Sequence, residues 1–219
     1  MLDAGPDVVT EAVSGPRHAL ILMCGDREGR LFQSRVAVLD IETKKRGHWV
    51  ALATAHGLRD KTECHVQDET GQRRQVRAMA FAPDPQEDWA VIRFRALPDG
   101  TAHRYALKPQ SADMADFSRA RGFLHNTRRC RLVGFQALEQ NQPTDLHHLH
   151  SCRAQKGQSG TPLTRDTGEG PELVGLHVGQ AHFWRFDIGK GRRSYGRYLP
   201  MTVDRVAAIE AAAARLAGP

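Results

Sequence analysis

Short apolar or alternating runs, separated by polar turns, give this chain its pattern. Runs of this kind between glycine- and proline-bearing turns predict the short strands of a barrel or a sandwich. Before residue 100 the predicted strands are Ala19 to Met23, Gln33 to Leu39, Trp49 to Ala53, Gln75 to Phe81 and Ala90 to Arg95. A second series comprises Cys130 to Leu138, Leu146 to Cys152, Thr161 to Leu163, Leu173 to Val178, His182 to Phe186 and Gly196 to Leu199.

Two segments depart from the strand pattern. The stretch from Pro98 to Gly122 carries few strand signals and is interpreted as a crossover between the two series. The alanine-rich stretch from Val203 to Leu216 follows Thr202, which suits a helix N-cap, and has Asp204 in its first turn. The sequence therefore predicts an all-β chain that ends in a helix.

Composition sets limits on the class of protein. A chain of 219 residues with net charge +6 is long enough to bury a sizeable core. No apolar run approaches the length of a membrane span, so no membrane partner is expected. The segment from Met1 to Pro16 lacks the basic start and apolar stretch of a secretory signal, which favours a cytoplasmic location.

Three motifs carry chemistry, and they occur in the order histidine, aspartate, serine. His56 ends Ala53-Thr54-Ala55-His56 after a predicted strand, Asp88 opens Asp88-Trp89-Ala90-Val91-Ile92, and Ser159 lies within Gly157-Gln158-Ser159-Gly160-Thr161-Pro162-Leu163. A serine hydroxyl needs a base to become nucleophilic, and His56 is the candidate base. Asp88 would orient the imidazole and stabilise its charged form. Each motif alone is common in strand ends and turns, so the inference depends on all three together.

These motifs resemble those of the chymotrypsin-like serine peptidases, over roughly residues 17 to 200, and are most similar to the compact bacterial and viral members. The resemblance implies a fold of two six-stranded antiparallel β-barrels with a C-terminal α-helix. The corresponding regions would be an N-terminal tail (1–16), a first barrel with His56 and Asp88 (17–100), a crossover (101–122), a second barrel with Ser159 (123–200) and the helix (201–219).

The resemblance also assigns roles in substrate binding. The backbone amides of Gly157 and Ser159 would form the oxyanion hole. Leu173-Val174-Gly175-Leu176-His177-Val178-Gly179 is similar to the strand that lines the specificity pocket. His177, Val178, Gly179 and Arg153 would then contact the substrate, with a preference for Glu, Gln or Asp at P1. The alternative is that His177 is a buried structural histidine and that Arg153 points to solvent.

Some positions depart from the family's pattern. Gln158 stands where the animal enzymes have an aspartate that pairs with a newly cut N-terminus, so activation of that type is not expected. Narrow specificity or gating by a regulatory protein partner is expected instead. Gly57 and Leu58 follow His56, where secreted members often have a cysteine. This favours free thiols, with a Cys130–Cys152 bridge as the alternative.

Other features suggest binding functions that the motifs do not require. His147, His148, His150 and Cys152 resemble a metal set, but no matching cysteine pair lies elsewhere, so neither zinc nor a cofactor is expected. Basic pairs such as Arg73-Arg74 usually lie in solvated turns, and nucleic acid is not expected as a partner. The sequence favours a serine endopeptidase acting on protein or peptide substrates. The alternative is a non-catalytic or latent module of the same fold that binds a protein or nucleic acid.

Overall fold

The protein is mostly β, with one C-terminal helix. The structure, a computed structural model, describes residues 19–43, 47–98, 102–109, 121–124, 128–133, 148–152, 154–166, 171–184 and 192–218. In the N-terminal half the strands are β1 (Leu20–Gly25), β2 (Leu31–Leu39), β3 (His48–Ala53), β4 (Glu63–Gln67), β5 (Arg73–Phe81), β6 (Ala90–Arg95) and β7 (Arg104–Tyr105). In the C-terminal half they are β8 (Arg121–Leu124), β9 (Arg128–Val133), β10 (His148–His150), β11 (Pro162–Asp166), β12 (Pro171–Trp184) and β13 (Arg192–Pro200), followed by the helix α1 (Val203–Ala217).

The N-terminal strands form one seven-stranded sheet in the order β1-β4-β5-β6-β3-β2-β7, with an additional pairing of β1 with β2. Neighbouring strands are antiparallel except for β2 and β7, which are parallel. Alternation places the side chains: Leu20, Leu22 and Cys24 of β1 are buried, whereas the intervening residues are half-buried.

The C-terminal strands form a closed six-stranded barrel in the order β10-β13-β12-β11-β8-β9. This barrel and the C-terminal helix confirm the corresponding parts of the predicted fold. The predicted first barrel (17–100) is not confirmed, since the N-terminal strands form a seven-stranded sheet.

The central strands of the N-terminal sheet are buried on both faces. Ala51 and Ala53 of β3 belong to a core enclosed by the N-terminal sheet, together with Leu22 of β1 and Val66 of β4. The alternate residues of β3 and β6 belong to a second core, which they share with strands β12 and β13 and with the helix. The second core includes Val50, Leu52, Trp89, Val91, Leu176, Val178, Leu199, Val206, Ile209 and Ala213. The two halves of the chain therefore pack directly against each other.

The helix begins and ends close to its predicted limits. The Thr202 hydroxyl caps it by accepting a hydrogen bond from the Arg205 amide at 3.3 Å. At the other end, the Leu216 carbonyl accepts a hydrogen bond from Arg93 of β6 at 2.6 Å. The apolar face between these points packs into the second core, so α1 is fixed to the N-terminal sheet.

The expectation of free thiols is wrong for the described cysteines. Cys24 of β1 lies directly opposite Cys64 of β4, with Cα atoms 4.1 Å apart, and the two form a disulfide. Cys152 is also disulfide-bonded. Disulfides persist mainly in oxidising compartments, so the cysteines do not support the expected cytoplasmic location.

Several elements differ from the prediction. Strands β4 and β8 were not predicted, and β7 and the start of β8 lie within the predicted crossover. The predicted strand at 173–178 and the described part of the one predicted at 182–186 form one strand, β12, whose register shifts between His177 and Gly179. The tail 1–16, Arg153 and much of the crossover lie outside the described residues, and the domain limits stay a prediction. No helix among the described residues is long and apolar enough to cross a membrane.

Candidate active site

His56 and Asp88 lie together at one end of the N-terminal sheet. Strand β3 ends at Ala53, and a single 3-10 turn, Ala55–Gly57, carries His56 out of the sheet. Asp88 precedes β6, and Ala53 pairs with Ala90 in the ladder between the two strands. The register therefore brings two residues 32 positions apart to the same edge, as the sequence motifs suggested.

Both carboxylate oxygens of Asp88 bind His56. Oδ1 accepts a hydrogen bond from the His56 backbone amide at 2.8 Å, and Oδ2 lies 2.5 Å from Nδ1 of the ring. Because a carboxylate can only accept, Nδ1 must carry the proton. The other ring nitrogen, Nε2, is then the basic one, and the half-exposed side chain of His56 leaves it accessible.

Ser159 comes from the other half of the chain and lies against β2. Its backbone carbonyl accepts a hydrogen bond from the Arg35 amide at 2.7 Å. Because Ala37 pairs with Leu52, continuing that register places Arg35 opposite Thr54, two residues before His56. Ser159 is therefore bound to the part of β2 that lies beside the end of β3, where the turn that carries His56 begins. No hydrogen bond joins its hydroxyl to His56 among the described contacts.

The loop around Ser159 requires glycine at two positions. Gly160 has φ +84°, and a Cβ there would lie 1.9 Å from the carbonyl oxygen of Arg35. Any larger residue would push the loop away from β2. Gly157 has φ +87°, a value suited to the third position of a type II turn, and the Gln158 amide closes this turn on the Gln155 carbonyl at 3.2 Å.

Gln158 forms hydrogen bonds within this loop. Its side-chain oxygen accepts a hydrogen bond from the Gln155 amide at 2.7 Å, and its backbone carbonyl accepts one from the Thr161 hydroxyl at 2.6 Å. The neutral amide thus stabilises the turn from inside the chain, where the animal enzymes of the resembled family use an aspartate for an ion pair.

His177 is buried beside this loop and forms a pair with a second histidine. Its backbone carbonyl accepts from the Gly160 amide at 2.7 Å, and its Nδ1 lies 3.0 Å from Nε2 of His150. Burial lowers the pKa of His177 to about 4, with smaller contributions from the charges of Arg197 and His56, while a hydrogen bond to the Arg197 backbone opposes the shift. Burial and His177 lower the pKa of His150 to about 3. Both rings are therefore neutral at neutral pH.

Arg197 is a cation near this pair that the sequence motifs did not indicate. It lies opposite Gly179 in the ladder between β12 and β13, and its guanidinium is 3.3 Å from where a Cβ on Gly179 would be. Its effect on the pKa of His177 also shows that the charge lies close to that ring. Val178 is buried in the second core. Arg153, the predicted pocket cation, lies outside the described residues.

The loop before Asp88 is anchored by the C-terminal helix. The buried guanidinium of Arg205 donates to Oε1 of Glu87 at 2.7 and 3.2 Å and to the Pro200 carbonyl. Oε2 of Glu87 accepts from the indole nitrogen of the buried Trp89. Both neighbours of Asp88 are therefore fixed. No sequence motif indicated Arg205, since it lies 118 residues from Glu87.

The suspected metal set does not gather into a site. His150 contacts His177, Cys152 is in a disulfide, and the ring of His148 packs edge-on against Tyr198 at 5.7 Å. No group of three potential ligands clusters among the described residues. His147 lies outside them.

Comparisons with known proteins show only the fold of the chain. No protein-family model matches the sequence, and no curated protein does. A solved structure described as HL collagenase matches with a TM-score of 0.62 at 11% sequence identity, over 94% of this chain and 99% of the collagenase chain. The protein therefore shares the overall fold of that collagenase over nearly the whole chain.

Proposed function

We propose that this protein is a serine endopeptidase that cleaves peptide bonds through an acyl-enzyme. Ser159 is the nucleophile, His56 the general base and then the acid, and Asp88 the group that orients His56. The amides of Gly157 and Ser159 stabilise the oxyanion. The observation that carries the proposal is the double hydrogen bond from His56 to Asp88, which leaves Nε2 as the basic nitrogen of a half-exposed ring.

Two further observations support it. The neighbour with this fold is a collagenase, and therefore a peptidase by name. The pairing of β1 with β2 also joins the first strand of the N-terminal sheet to its sixth, as a first barrel of the resembled family would require. A simple binding module would need neither the two hydrogen bonds from His56 to the Asp88 carboxylate nor the glycine-dependent approach of Ser159 to β2.

The substrate preference is proposed to be Glu or Gln, and then Asp, at P1. His150 contacts Nδ1 of His177 and the ring also hydrogen-bonds the Arg197 backbone, so a substrate side chain would replace one of these two contacts. A neutral imidazole donates a hydrogen bond without charge, which suits Gln as well as Glu. Arg197, beside Gly179, supplies the positive charge that favours Glu and disfavours Lys or Arg.

Partner gating is proposed to act through the turn at Gly157. Type II and type I turns differ by rotation of the central peptide, which reverses the direction of the amide at this position. A change from φ +87° to a negative φ would withdraw one oxyanion donor while leaving His56 and Asp88 unchanged. A partner that binds the loop 155–158 would select one of the two turns. The disulfides favour an oxidising compartment for this activity rather than the cytoplasm.

Labelling with a fluorophosphonate probe tests the catalytic assignment without a known substrate. The probe should modify Ser159, as read by mass spectrometry of the peptide, and Ser159→Ala should abolish labelling. Ser151→Ala removes an exposed serine eight residues away and should leave the rate unchanged. Absence of labelling in the folded protein under all conditions would favour the latent or non-catalytic module.

A peptide library tests the specificity. Cleavage after Glu and Gln should dominate, His177→Gln should reduce both, and Arg197→Gln should reduce cleavage after Glu more than after Gln. A preference for Lys or Arg at P1 would exclude this pocket, although the nucleophile assignment would stand.

A further inference from the structure

Four arginines line an open cleft of about 580 Å³ on the N-terminal sheet: Arg73, Arg74, Arg77 and Arg95. The described lining contains neither an acidic nor an aromatic residue, and Ala96, Leu97 and Pro98 form its apolar part. Basic pairs usually lie in solvated turns, but Arg73 and Arg74 begin β5. The sheet therefore concentrates positive charge in one concave place.

The strand geometry gathers these side chains. Arg73 and Arg74 open β5, and Arg95 ends the neighbouring strand β6. In the ladder between the two strands, Val76 pairs with Phe94 and Ala78 with Arg93, so Arg77 is an extra, bulged residue. A bulge redirects a side chain, and Arg77 is exposed on the same part of the sheet.

Two of these arginines donate hydrogen bonds to neutral oxygen atoms, which do not offset their positive charge. Arg73 donates to the side-chain oxygen of Gln67 at 2.8 Å, and Arg74 donates to the Arg73 carbonyl at 3.0 Å and to Gln72. None of the four arginines forms an ion pair with a described carboxylate. Oriented guanidinium groups without a carboxylate partner suit bidentate binding of phosphate oxygens.

The cleft is separate from the candidate active site. Asp88 precedes β6 and Arg95 ends it, and the five steps from Ala90 to Arg95 alone span about 17 Å along the strand. A ligand in the cleft would therefore leave His56 and Ser159 accessible.

We propose that this cleft binds the phosphodiester backbone of nucleic acid without sequence preference. Several guanidinium groups along one cleft match a repeating anion better than a single small one. Aromatic side chains, on which bases stack, are missing from the described lining, so recognition is limited to the phosphates. The net charge of +6 also attracts a polyanion such as nucleic acid.

Fluorescence anisotropy with the full chain and a labelled 20-base-pair duplex of arbitrary sequence tests the proposal. Titrations between 50 and 200 mM salt should give a slope of log affinity against log salt of about −3.6, which is four contacts at about −0.9 each. A duplex of scrambled sequence should bind equally. Arg77→Gln with Arg95→Gln should weaken binding roughly tenfold to a hundredfold and reduce the slope by about two.

The matched control is Arg27→Gln with Arg215→Gln, which removes the same charge from exposed sites elsewhere. Equal weakening in the two double variants would mean that net charge alone binds the duplex, and would overturn the site. A heparin fragment of equal charge serves as the competing polyanion. If it binds more than tenfold tighter than the duplex, the occupant is a sulfated polysaccharide and the proposal is wrong. Probe labelling of Ser159 should be the same in both double variants, so this test is independent of the proposed activity.

Discussion

Replacing Arg205 by methionine should impair both the stability of the fold and the reactivity of Ser159. Arg205 is 4% exposed and binds Glu87, whose side chain is 19% exposed. Methionine keeps much of the apolar stem but leaves the Glu87 carboxylate without its cation and the Pro200 carbonyl without its donor. Breaking a buried ion pair costs about 3–5 kcal/mol, and the partial exposure of Glu87 reduces this to about 2–4 kcal/mol in the free energy of unfolding.

The effect on reactivity follows from the position of Asp88 between Glu87 and Trp89. If Glu87 is released, Asp88 can move relative to His56, and a misplacement of about 1 Å costs roughly a hundredfold in rate. We expect fluorophosphonate labelling of Ser159 to slow tenfold to a hundredfold in protein that is still folded.

Urea unfolding and labelling kinetics should be measured on the same preparations. Arg215→Met is the control, since Arg215 lies on the same helix and is exposed. Arg205→Lys keeps a charge but loses the forked geometry and should give intermediate values. If Arg205→Met lost stability while labelling kept its rate, the helix would stabilise the fold without positioning Asp88, and the reasoning would be refuted.

Three other substitutions test features of the fold. Cys24→Ala removes a bridge between residues 40 positions apart and should lower the free energy of unfolding by about 4 kcal/mol in urea titrations, whereas a change below about 1 kcal/mol would contradict the bridge. Burial keeps the pKa of His150 and His177 at about 3 and 4 in the folded protein, while the unfolded chain protonates both below about pH 6.5. The free energy of unfolding should therefore decrease as the pH falls from about 6.5 toward 4, by up to about 1.4 kcal/mol per pH unit for each ring. The variant in which glutamine replaces both histidines should lack this pH dependence in its urea midpoint. Gly160→Ala should cost about 2–5 kcal/mol in thermal or urea unfolding, because its Cβ would overlap a backbone oxygen at positive φ; Gly29→Ala, with positive φ but open space, should cost only about 1 kcal/mol, and equal losses would mean that φ alone matters.

The sequence predicted most strands whose apolar residues are continuous or alternate strongly. Strand β3, with apolar residues on both faces, and α1, with its cap at Thr202, lie close to their predicted limits. Strand β4 was missed because only Cys64 and Val66 face the core between polar neighbours. The break expected near Gly179 in β12 is a bulge, which shifts register without ending a strand.

The order of the motifs indicated the candidate site, but not the contacts that hold it. His56, Asp88 and Ser159 have local signatures. The partner of His177 is His150, 27 residues away, and the partner of Glu87 is Arg205, much further along the chain. Such contacts depend on how the C-terminal barrel and the helix pack against the N-terminal sheet, and no local pattern specifies that packing.

The anchoring of Glu87 by the C-terminal helix has a consequence for synthesis on the ribosome. A chain grows from its N-terminus, so His56 and Asp88 are made well before Ser159, and Arg205 is made after every strand described above. A nascent chain therefore carries the proposed base and its carboxylate without the proposed nucleophile, and then all three without the residue that anchors Glu87. The candidate site is completed only when α1 has left the ribosome, so the proposed activity would not cleave neighbouring nascent proteins before that point.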